Sequence, residues 1–400
     1  MAKIKNIILL IMATTTLLNN SSAFLLVDNC PAPSPCTCSG SSSSYSYVYC
    51  QSKSLKDIPF IKQSNNHVDT LYLYFYSNAL TVVYDNVFRN ISSINASNII
   101  LQLNSNKINT IENNAFNGIE NVTSNLRLNS NNLTTIPSAI GKLVNLEYLY
   151  IYSNPLHSID SSVMSNIGRS LIHLNHLTSL NFRYDTHLKE NRSSIFEPCT
   201  GKLSTVTNLY LDGNNLHVFP DVFTLFPSLT TLSLSSNKLE YIESSKLPSI
   251  ARVTTIYLNN NLFERIPPAL NRLKSLNILY IYNNNIKTIE LADLSQLSML
   301  TYLHLNNNPI VYISPTAFKH NLNLGTLYLQ NTNLDHVPVA ATYLTKLRNL
   351  YLSGRPIDCS CDMSYLKHWN ATAVTNFNTK CASSTETIKT FVTNSLQSCP

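Results

Sequence analysis

Few residues in this sequence have the types and spacing that chemistry requires. His173 and His176 lie three apart in LIHLNHL, which could suggest metal binding, but we expect solvent-exposed histidines before a strand. Asp212–Asn215 reads DGNN, like the start of a calcium loop, without the remaining spaced oxygen ligands. The motifs G-x-S-x-G and H-E-x-x-H and a glycine-rich phosphate loop are absent from the sequence. We therefore predict a protein that is not an enzyme and binds no metal or cofactor.

The composition argues against several classes of function. The chain of 400 residues has only 8 glycines, and loops that bind dinucleotides or phosphates need glycine. Charged residues make up 12% of the chain, so strong electrostatic steering is not expected. The formal charge is +6, but no basic run or basic helix occurs, which makes nucleic acid a poor candidate partner.

Residues 1–23 have the pattern of a signal peptide. Lys3 and Lys5 precede the apolar run Ile7–Met12, and small residues offer a cleavage site near Ala23. A membrane anchor is the alternative, but the apolar run is shorter than the roughly 20 residues that a membrane span needs. No second hydrophobic stretch follows, so we expect a secreted, extracellular protein with no membrane span in this chain.

Eight of the nine cysteines form two groups, one towards each end of the chain. They are Cys30, Cys36, Cys38 and Cys50, and then Cys359, Cys361, Cys381 and Cys399. In a secreted protein such groups predict disulfides. A zinc site is the competing interpretation of the first group, although no nearby histidine completes a familiar pattern. For the ninth, Cys199, we expect a partly buried free thiol, with an intermolecular bridge in a dimer as the alternative.

A pattern that repeats along the sequence predicts how the chain folds. From Leu229 to Ile313 the sequence contains LTTLSLSSNKLEYI, VTTIYLNNNLFERI, LNILYIYNNNIKTI and LTYLHLNNNPIVYI. Alternating apolar residues predict a short strand with an aliphatic core face. The Asn that follows can satisfy backbone groups that the bend leaves unpaired, and we expect those groups in its own turn and the next. One such coil cannot bury its leucines alone, so the copies must stack.

These lines fit L-x-x-L-x-L-x-x-N-x-L-x-x-I, and by this motif the chain resembles the extracellular leucine-rich repeat family. The resemblance implies an α/β repeat solenoid of about 13 turns, a horseshoe with a concave parallel β-sheet and short convex helical or 3₁₀ turns. We expect those turns in IPSAIGKLVN, IPPALNRLKS and FPDVFTLFPS, which have proline near the start. We call the residue at the Asn position of this motif the anchor of its turn. The spacing between successive anchors widens around Asp185, so residues 160–205 are expected to be irregular.

The two cysteine groups resemble the N-terminal and C-terminal caps of the same family. The resemblance implies the disulfides Cys30–Cys38, Cys36–Cys50, Cys359–Cys381 and Cys361–Cys399, and a helix that begins at the second C-x-C and ends near Trp369. The expected order is a signal peptide (1–23), an N-terminal cap with the first turn (24–60), repeats (61–357) and a C-terminal cap (358–400).

Tyrosine dominates the strand positions that point away from the core. Eight of the thirteen central outward residues are tyrosine. The thirteen are Tyr49, Tyr74, Gln102, Arg127, Tyr150, Asn181, Tyr210, Ser233, Tyr257, Tyr280, His304, Tyr328 and Tyr351. The alternative to a binding role is that tyrosine suits strands and stacks on its neighbours. We favour a binding face, because tyrosine combines a large, rigid contact area with a hydrogen-bonding tip.

In the regular half of the chain, the predicted ligand-binding residues come from central and flanking outward positions. They are Tyr210, Tyr257, Tyr280, Tyr282, Tyr302, His304, Tyr328 and Tyr351. Acceptor sequons for N-linked glycans avoid the outward strand positions. They are Asn90, Asn95, Asn121, Asn132, Asn191 and Asn370.

The expected function is non-catalytic recognition of an extracellular protein or glycan through the tyrosine-rich concave face. One alternative is the ligand-binding ectodomain of a receptor whose membrane span is absent from this chain. Another is an inhibitor of a secreted hydrolase, a role that some members of the family play. The fold alone does not choose among these partners.

The cysteine pattern gives a first test. When the intact protein is denatured without reduction, we expect one thiol, that of Cys199, to react with a maleimide. Peptide mapping should find links within Cys30–Cys50 and within Cys359–Cys399 and none between the two groups. Stoichiometric zinc in the purified protein would contradict the assignment of disulfides.

Overall fold

A computed structural model describes most of the chain. The described residues are 30–42, 45–61, 67–156, 179–183, 202–377, 379–382 and 384–399. The predicted signal peptide, Asp185, the pair His173 and His176, Asn191 and Cys199 lie outside them. The chain divides into two units, and each is described by itself. The first comprises residues 1–133, 137–150 and 173–176, and the second comprises residues 134–136, 151–172 and 177–400.

The first unit begins with an antiparallel pair of strands and continues with parallel ones. Thr37–Ser42 pairs antiparallel with Tyr45–Tyr49. Tyr45–Tyr49 is also the first of the parallel strands, which continue with Val68–Tyr74, Ala96–Gln102, Thr123–Arg127 and Tyr148–Tyr150. The register aligns Tyr49, Tyr74, Gln102, Arg127 and Tyr150. These are the predicted central outward residues, so the expected register is confirmed in this unit.

The second unit contains eight described parallel strands of three residues each. They are Ser179–Asn181, Asn208–Tyr210, Thr231–Ser233, Thr255–Tyr257, Ile278–Tyr280, Tyr302–His304, Thr326–Tyr328 and Asn349–Tyr351. The middle residue of each strand is buried, as Leu232 and Leu279 show, and the last residues align in register from Asn181 to Tyr351. This confirms the predicted stack of coils around an aliphatic core.

The side of each coil opposite the sheet varies along the chain. Two of the three predicted segments contain 3₁₀ helices, at Ser138–Lys142 and Pro268–Arg272. The third, FPDVFTLFPS, has only a turn, in which the N–H of Phe226 donates to the carbonyl of Val222. Other coils have the 3₁₀ helices Arg89–Ile94, Ser244–Lys246 and Val339–Tyr343, the α-helix Leu291–Leu294, or strands. The strand pairs are Val82–Val83 with Thr110–Ile111 and Thr288–Ile289 with Tyr312–Ile313.

The anchor asparagines join neighbouring turns. The Nδ2 of Asn261 donates to the carbonyls of Leu258 at 3.0 Å and Leu234 at 2.9 Å, and its Oδ1 accepts from the N–H of Leu239 at 3.0 Å. Leu234 and Leu239 belong to the preceding turn. The prediction that Asn261 bonds to the next turn was therefore wrong, because its bonds reach back along the chain. Asn237 bonds to its own and the preceding turn in the same way. Asn237 and Asn261 thus each satisfy backbone groups of two coils in the core.

A second special position, which the sequence pattern above does not include, lies immediately before the anchor. Ser236, Asn260, Asn283 and Asn307 have φ values of 56°, 56°, 52° and 54°, in the left-handed region. Asn adopts this conformation more readily than most residues with a Cβ atom, because its side chain can hydrogen-bond locally. The repeated Ser-Asn and Asn-Asn pairs in the sequence are the signal of this position.

The four disulfides that the family resemblance implies are confirmed. They join Cys30 to Cys38, Cys36 to Cys50, Cys359 to Cys381 and Cys361 to Cys399. The expected helix after the second C-x-C is instead a 3₁₀ helix, Cys361–Leu366, interrupted at Met363, and it ends before Trp369. The 3₁₀ helices Ala371–Ala373 and Ser395–Ser398 and the α-helix Ile388–Thr393 complete the C-terminal region. No helix in the described ranges is long and apolar enough to cross a membrane.

Replacing Asn261 tests the linkage between turns. Asn261→Ala should lower the free energy of unfolding by about 1–3 kcal/mol, because backbone groups of two turns lose their partner in the core. Leu258→Ala, which removes a fully buried side chain, should cost about 2–5 kcal/mol through a cavity. Chemical denaturation measures both changes.

The matched control is Asn285→Ala, at an exposed position where the side chain makes no hydrogen bond to the described residues. It should change stability by less than about 0.5 kcal/mol. An equal effect of Asn261→Ala and Asn285→Ala would contradict the role of the anchor.

Candidate functional site

The strands of the second unit bring the predicted aromatic residues into contact. The rings of Tyr257 and Tyr280 stack at 4.6 Å between centroids, within 3° of parallel. His304 and Tyr328 lie 4.5 Å apart, and Tyr328 and Tyr351 lie 4.3 Å apart at 9°. Neighbouring strands are separated by about 4.8 Å, so aligned rings stack. We define the tyrosine row as Tyr257, Tyr280, Tyr282, Tyr302, His304, Tyr328 and Tyr351.

Hydroxyl groups lie close together within the row. Burial among these rings, and then the neighbouring hydroxyl groups of Tyr328 and Tyr280, hold the pKa of Tyr302 far above its usual value of 10.0. At the end of the row, the Tyr351 hydroxyl accepts a hydrogen bond of 2.9 Å from the Nδ2 of Asn376. This bond fixes the position of the Tyr351 hydroxyl.

His304 lies in the middle of the row. Its imidazole is 4.5 Å from the ring of Tyr282 and 4.5 Å from that of Tyr328. Burial lowers the pKa of His304 below its usual 6.5, so the ring is neutral at neutral pH. Its Nδ1 is buried and has no hydrogen-bond partner in the described part of the chain.

Tyr210 does not join the stack, because Ser233 occupies the strand between it and Tyr257. The guanidinium of Arg183 lies over the Tyr210 ring at 4.4 Å, and its Nε donates to Asp212 Oδ2 at 2.5 Å. Asp212, only 5% exposed, also accepts a hydrogen bond from the Ser233 hydroxyl. This buried ion pair is a polar feature that the sequence analysis missed. In the sequence, Arg183 and Asp212 have opposite charges and occupy the same outward position, two residues after Asn181 and Tyr210.

The first unit has its own aromatic cluster, which lies outside the predicted ligand-binding set. The rings of Tyr47 and Tyr72 stack at 4.6 Å, and Tyr49 and Tyr74 lie 5.6 Å apart. Tyr76 contacts Tyr74 at 5.9 Å. Outward tyrosines therefore pack together in both units, as the propensity of tyrosine for stacked strands predicts. Stacking alone does not distinguish a binding surface from a well-packed sheet.

The repeat motif extends over more than half of the sequence. The profile of the leucine rich repeat matches residues 99–156, 204–263, 251–310 and 298–357. The chain belongs to the leucine-rich repeat family. A sequence comparison with curated proteins finds no match.

Several solved structures share the fold of these repeats at low sequence identity. A leucine-rich repeat protein of Leptospira interrogans has a TM-score of 0.59 at 23% identity, over 79% of this chain and 80% of that one. The internalin InlF of Listeria monocytogenes has a TM-score of 0.52 at 23% identity, over 72% of this chain and 75% of that one. A chain from the octameric complex of Latrophilin 3, Unc5D and FLRT2 has a TM-score of 0.57 at 20% identity, over 92% and 100%.

The outward residues that flank the tyrosine row are uncharged. The outward residues that flank the row on its strands are Thr255, Asn259, Ile278, Asn306, Thr326, Gln330, Asn349 and Ser353. None of them is charged. Asn306 and Gln330 bond to each other, from the Asn306 Nδ2 to the Gln330 Oε1 at 2.6 Å and from the Gln330 N–H to the Asn306 Oδ1 at 2.8 Å. The surface therefore offers rings, hydroxyls and amides for contact.

The acceptor asparagines lie outside the tyrosine row. Asn95, Asn121, Asn132 and Asn370 are exposed, whereas Asn90 is half-buried and its Nδ2 donates to the carbonyl of Ile61 at 3.3 Å.

Within the described ranges, no group of three or more His, Cys, Asp or Glu side chains could hold a metal ion. Asp212, the first residue of the DGNN segment, is engaged by Arg183.

The burial of His304 predicts a dependence of stability on pH. In the unfolded chain the imidazole regains a pKa of about 6.5, so between that value and the lower folded pKa the unfolded state binds more protons. Stability should therefore fall as the pH decreases through this window. His304→Phe should show a smaller loss than the wild type when chemical denaturation is compared at about pH 7.5 and about pH 5.

His320→Gln, at an exposed position on a reverse turn, is the control and should keep the wild-type loss. If His304→Phe loses as much stability as the wild type over the same pH range, the imidazole is not buried as described.

Proposed function

We propose that this leucine-rich repeat protein is a secreted, non-catalytic recognition protein that binds an extracellular protein or glycan through the tyrosine row. One observation carries the proposal: seven side chains from five adjacent strands form a single uncharged surface of rings and hydroxyls. Tyrosine supplies large contact area at a low cost in conformational entropy, which suits recognition.

The repeats support this surface with two rows of asparagines. The anchors Asn261, Asn284 and Asn308 bond to backbone groups in the core. At the exposed position before each anchor, Asn283 donates to Asn260 at 2.6 Å, and Asn307 donates to Asn283 at 2.5 Å. Both rows run across the strands that carry the tyrosine row. A surface held in this way loses little freedom on binding, so more of the contact energy appears as affinity.

The stacking geometry favours a protein over a sugar as the partner. Face-to-face stacking in the pairs Tyr257–Tyr280 and Tyr328–Tyr351 covers ring faces that a pyranose would need. Ring edges and hydroxyl tips remain for contact, and they suit the backbone and polar side chains of another protein. The printed description of one structural neighbour supports this direction, since FLRT2 there contributes a leucine-rich repeat to a complex with Latrophilin 3 and Unc5D.

The signal-peptide pattern and the disulfides support secretion. Residues 1–23 carry that pattern, and the four disulfides need an oxidising compartment. Six sequons are consistent with passage through the secretory pathway. An intermolecular bridge at Cys199 stays a prediction, which non-reducing electrophoresis of the secreted protein would test.

A capture experiment followed by substitution tests the proposal. The purified protein, immobilised, is exposed to extracellular fluid and its partner identified by mass spectrometry, with a glycan array in parallel. Tyr280→Ala and Tyr328→Ala should each weaken binding of that partner by about 2 kcal/mol, roughly 30-fold. Affinity should change little between low and physiological salt, because the surface is uncharged.

Tyr312→Ala is the matched control, since this tyrosine is 48% exposed and belongs to a strand on the opposite side of the coil. Lys274→Ala probes the same side with a charge. Full affinity of Tyr280→Ala and Tyr328→Ala, together with loss in Tyr312→Ala or Lys274→Ala, would reject the tyrosine row as the binding surface.

A further inference from the structure

A cavity of about 590 Å³ lies between the last repeat and the C-terminal cap, and no residue of the tyrosine row lines it. Leu344, Leu347 and Val374 form apolar wall, and Arg348 and His368 contribute polar groups. Its volume lies within the range of cavities that bind small ligands, roughly 300–1,000 Å³, and its lining is at least as polar as it is apolar. We call it the cap groove.

Trp369, the single tryptophan of the chain, lines the cap groove. Its ring packs edge-to-face on the buried Phe377, with centroids 5.5 Å apart and planes at 85°. Phe377 therefore fixes the orientation of the indole. The ring is half-buried, so it retains surface for a further contact.

Asn370, the acceptor of the sequon Asn-Ala-Thr, lines the same groove. Its Oδ1 caps the 3₁₀ helix Ala371–Ala373 by accepting from the N–H of Ala373 at 3.3 Å, and it also accepts from the Thr372 hydroxyl at 2.6 Å. Its Nδ2, the atom to which an N-linked sugar attaches, has no partner among the described residues. A sugar on Nδ2 therefore leaves the cap of the helix intact.

We propose that the cap groove binds the first sugars of a glycan attached to Asn370, with the apolar C–H face of a pyranose against Trp369. A pyranose has such a face and a rim of hydroxyls, which matches an indole beside Leu344, Leu347 and the polar groups of Arg348 and His368. Attachment replaces one hydrogen of Nδ2 by a bond to the sugar C1. The lipid diphosphate that carried the oligosaccharide leaves, and the proton goes to solvent.

Covalent attachment explains how a shallow groove can hold a sugar. The linkage keeps the glycan near Trp369 at an effective concentration on the order of millimolar or above, so weak contacts suffice for docking. The glycan then covers the exposed part of the Trp369 indole where the last repeat meets the cap. This inference rests on the secretion part of the proposed function, because the sugar is added in the secretory pathway, and it is independent of what the tyrosine row binds.

The single tryptophan makes the proposal directly measurable. The full chain is secreted from a eukaryotic cell line that adds oligomannose glycans, and peptide mass spectrometry reads the occupancy of each sequon. Trp369 fluorescence is then quenched with acrylamide. Asn370→Gln should raise the quenching constant about twofold by uncovering the indole, and Asn132→Gln, which removes a sequon in the first unit, should leave it unchanged.

A second measurement on the folded wild-type protein covers the case in which Asn370→Gln fails to fold. Endoglycosidase H trims each glycan to its first sugar, and quenching should stay low if that sugar occupies the groove. Peptide N-glycosidase F, applied instead to a separate sample with intact glycans, removes the whole chain and converts Asn370 to aspartate, and the quenching constant should rise about twofold.

Three results would overturn the inference. If all sequons are empty, both the inference and the expectation of glycosylation in secretion fail. If other sequons are occupied and Asn370 is not, only the cap groove proposal fails. If Asn370 is occupied but its sugar leaves the quenching of Trp369 unchanged, the glycan extends into solvent and the groove does not bind it.

Discussion

The buried side-chain amide of the anchor asparagine is the interaction on which the rest of this structure depends. Each coil bends sharply after a strand of only a few residues, and the bend turns backbone N–H and C=O groups into the core. An anchor such as Asn261 satisfies groups of its own coil and of the preceding one with a single side chain. Burial of leucines supplies the driving force for stacking, while the amides determine how one coil sits on the next.

Fixed stacking makes the outward surface a consequence of the core. Once the strands are in register, residues at the same position of successive coils must touch, whatever their identity. Tyrosines at these positions form stacks in both units, as Tyr47 with Tyr72 and Tyr257 with Tyr280 show. The same ring contacts therefore stabilise the sheet and shape the surface that we propose for recognition. The second unit differs because the neutral His304 is inserted among its rings.

Arg183 and Asp212 form an ion pair beside Tyr210 in the second unit. The Asp212 side chain is 7% exposed, whereas that of Arg183 is 35% exposed. A buried carboxylate is tolerated there because a guanidinium and a hydroxyl both bond to it. Between Thr255 and Tyr351 the outward positions are neutral. A partner of the tyrosine row would meet hydrogen-bonding groups and aromatic edges, with little long-range attraction to guide it.

The stacked coils, the register of their strands and the cysteine caps at both ends could be predicted from the sequence alone. A leucine pattern repeated every 23 to 29 residues within each unit allows one stacking, and the central residues from Tyr49 to Tyr351 align as predicted within each unit. The four disulfides followed from the family resemblance. Tertiary structure decided what depends on contacts between distant residues: the direction of the anchor bonds, the pairing of Arg183 with Asp212, and the short interrupted helix after Cys361. It also decided the groove in which Trp369 and Asn370 of the cap meet Leu347 and Arg348 of the last repeat. A one-dimensional pattern specifies which face a side chain takes, whereas its partners depend on how coils twenty or more residues apart in sequence pack together.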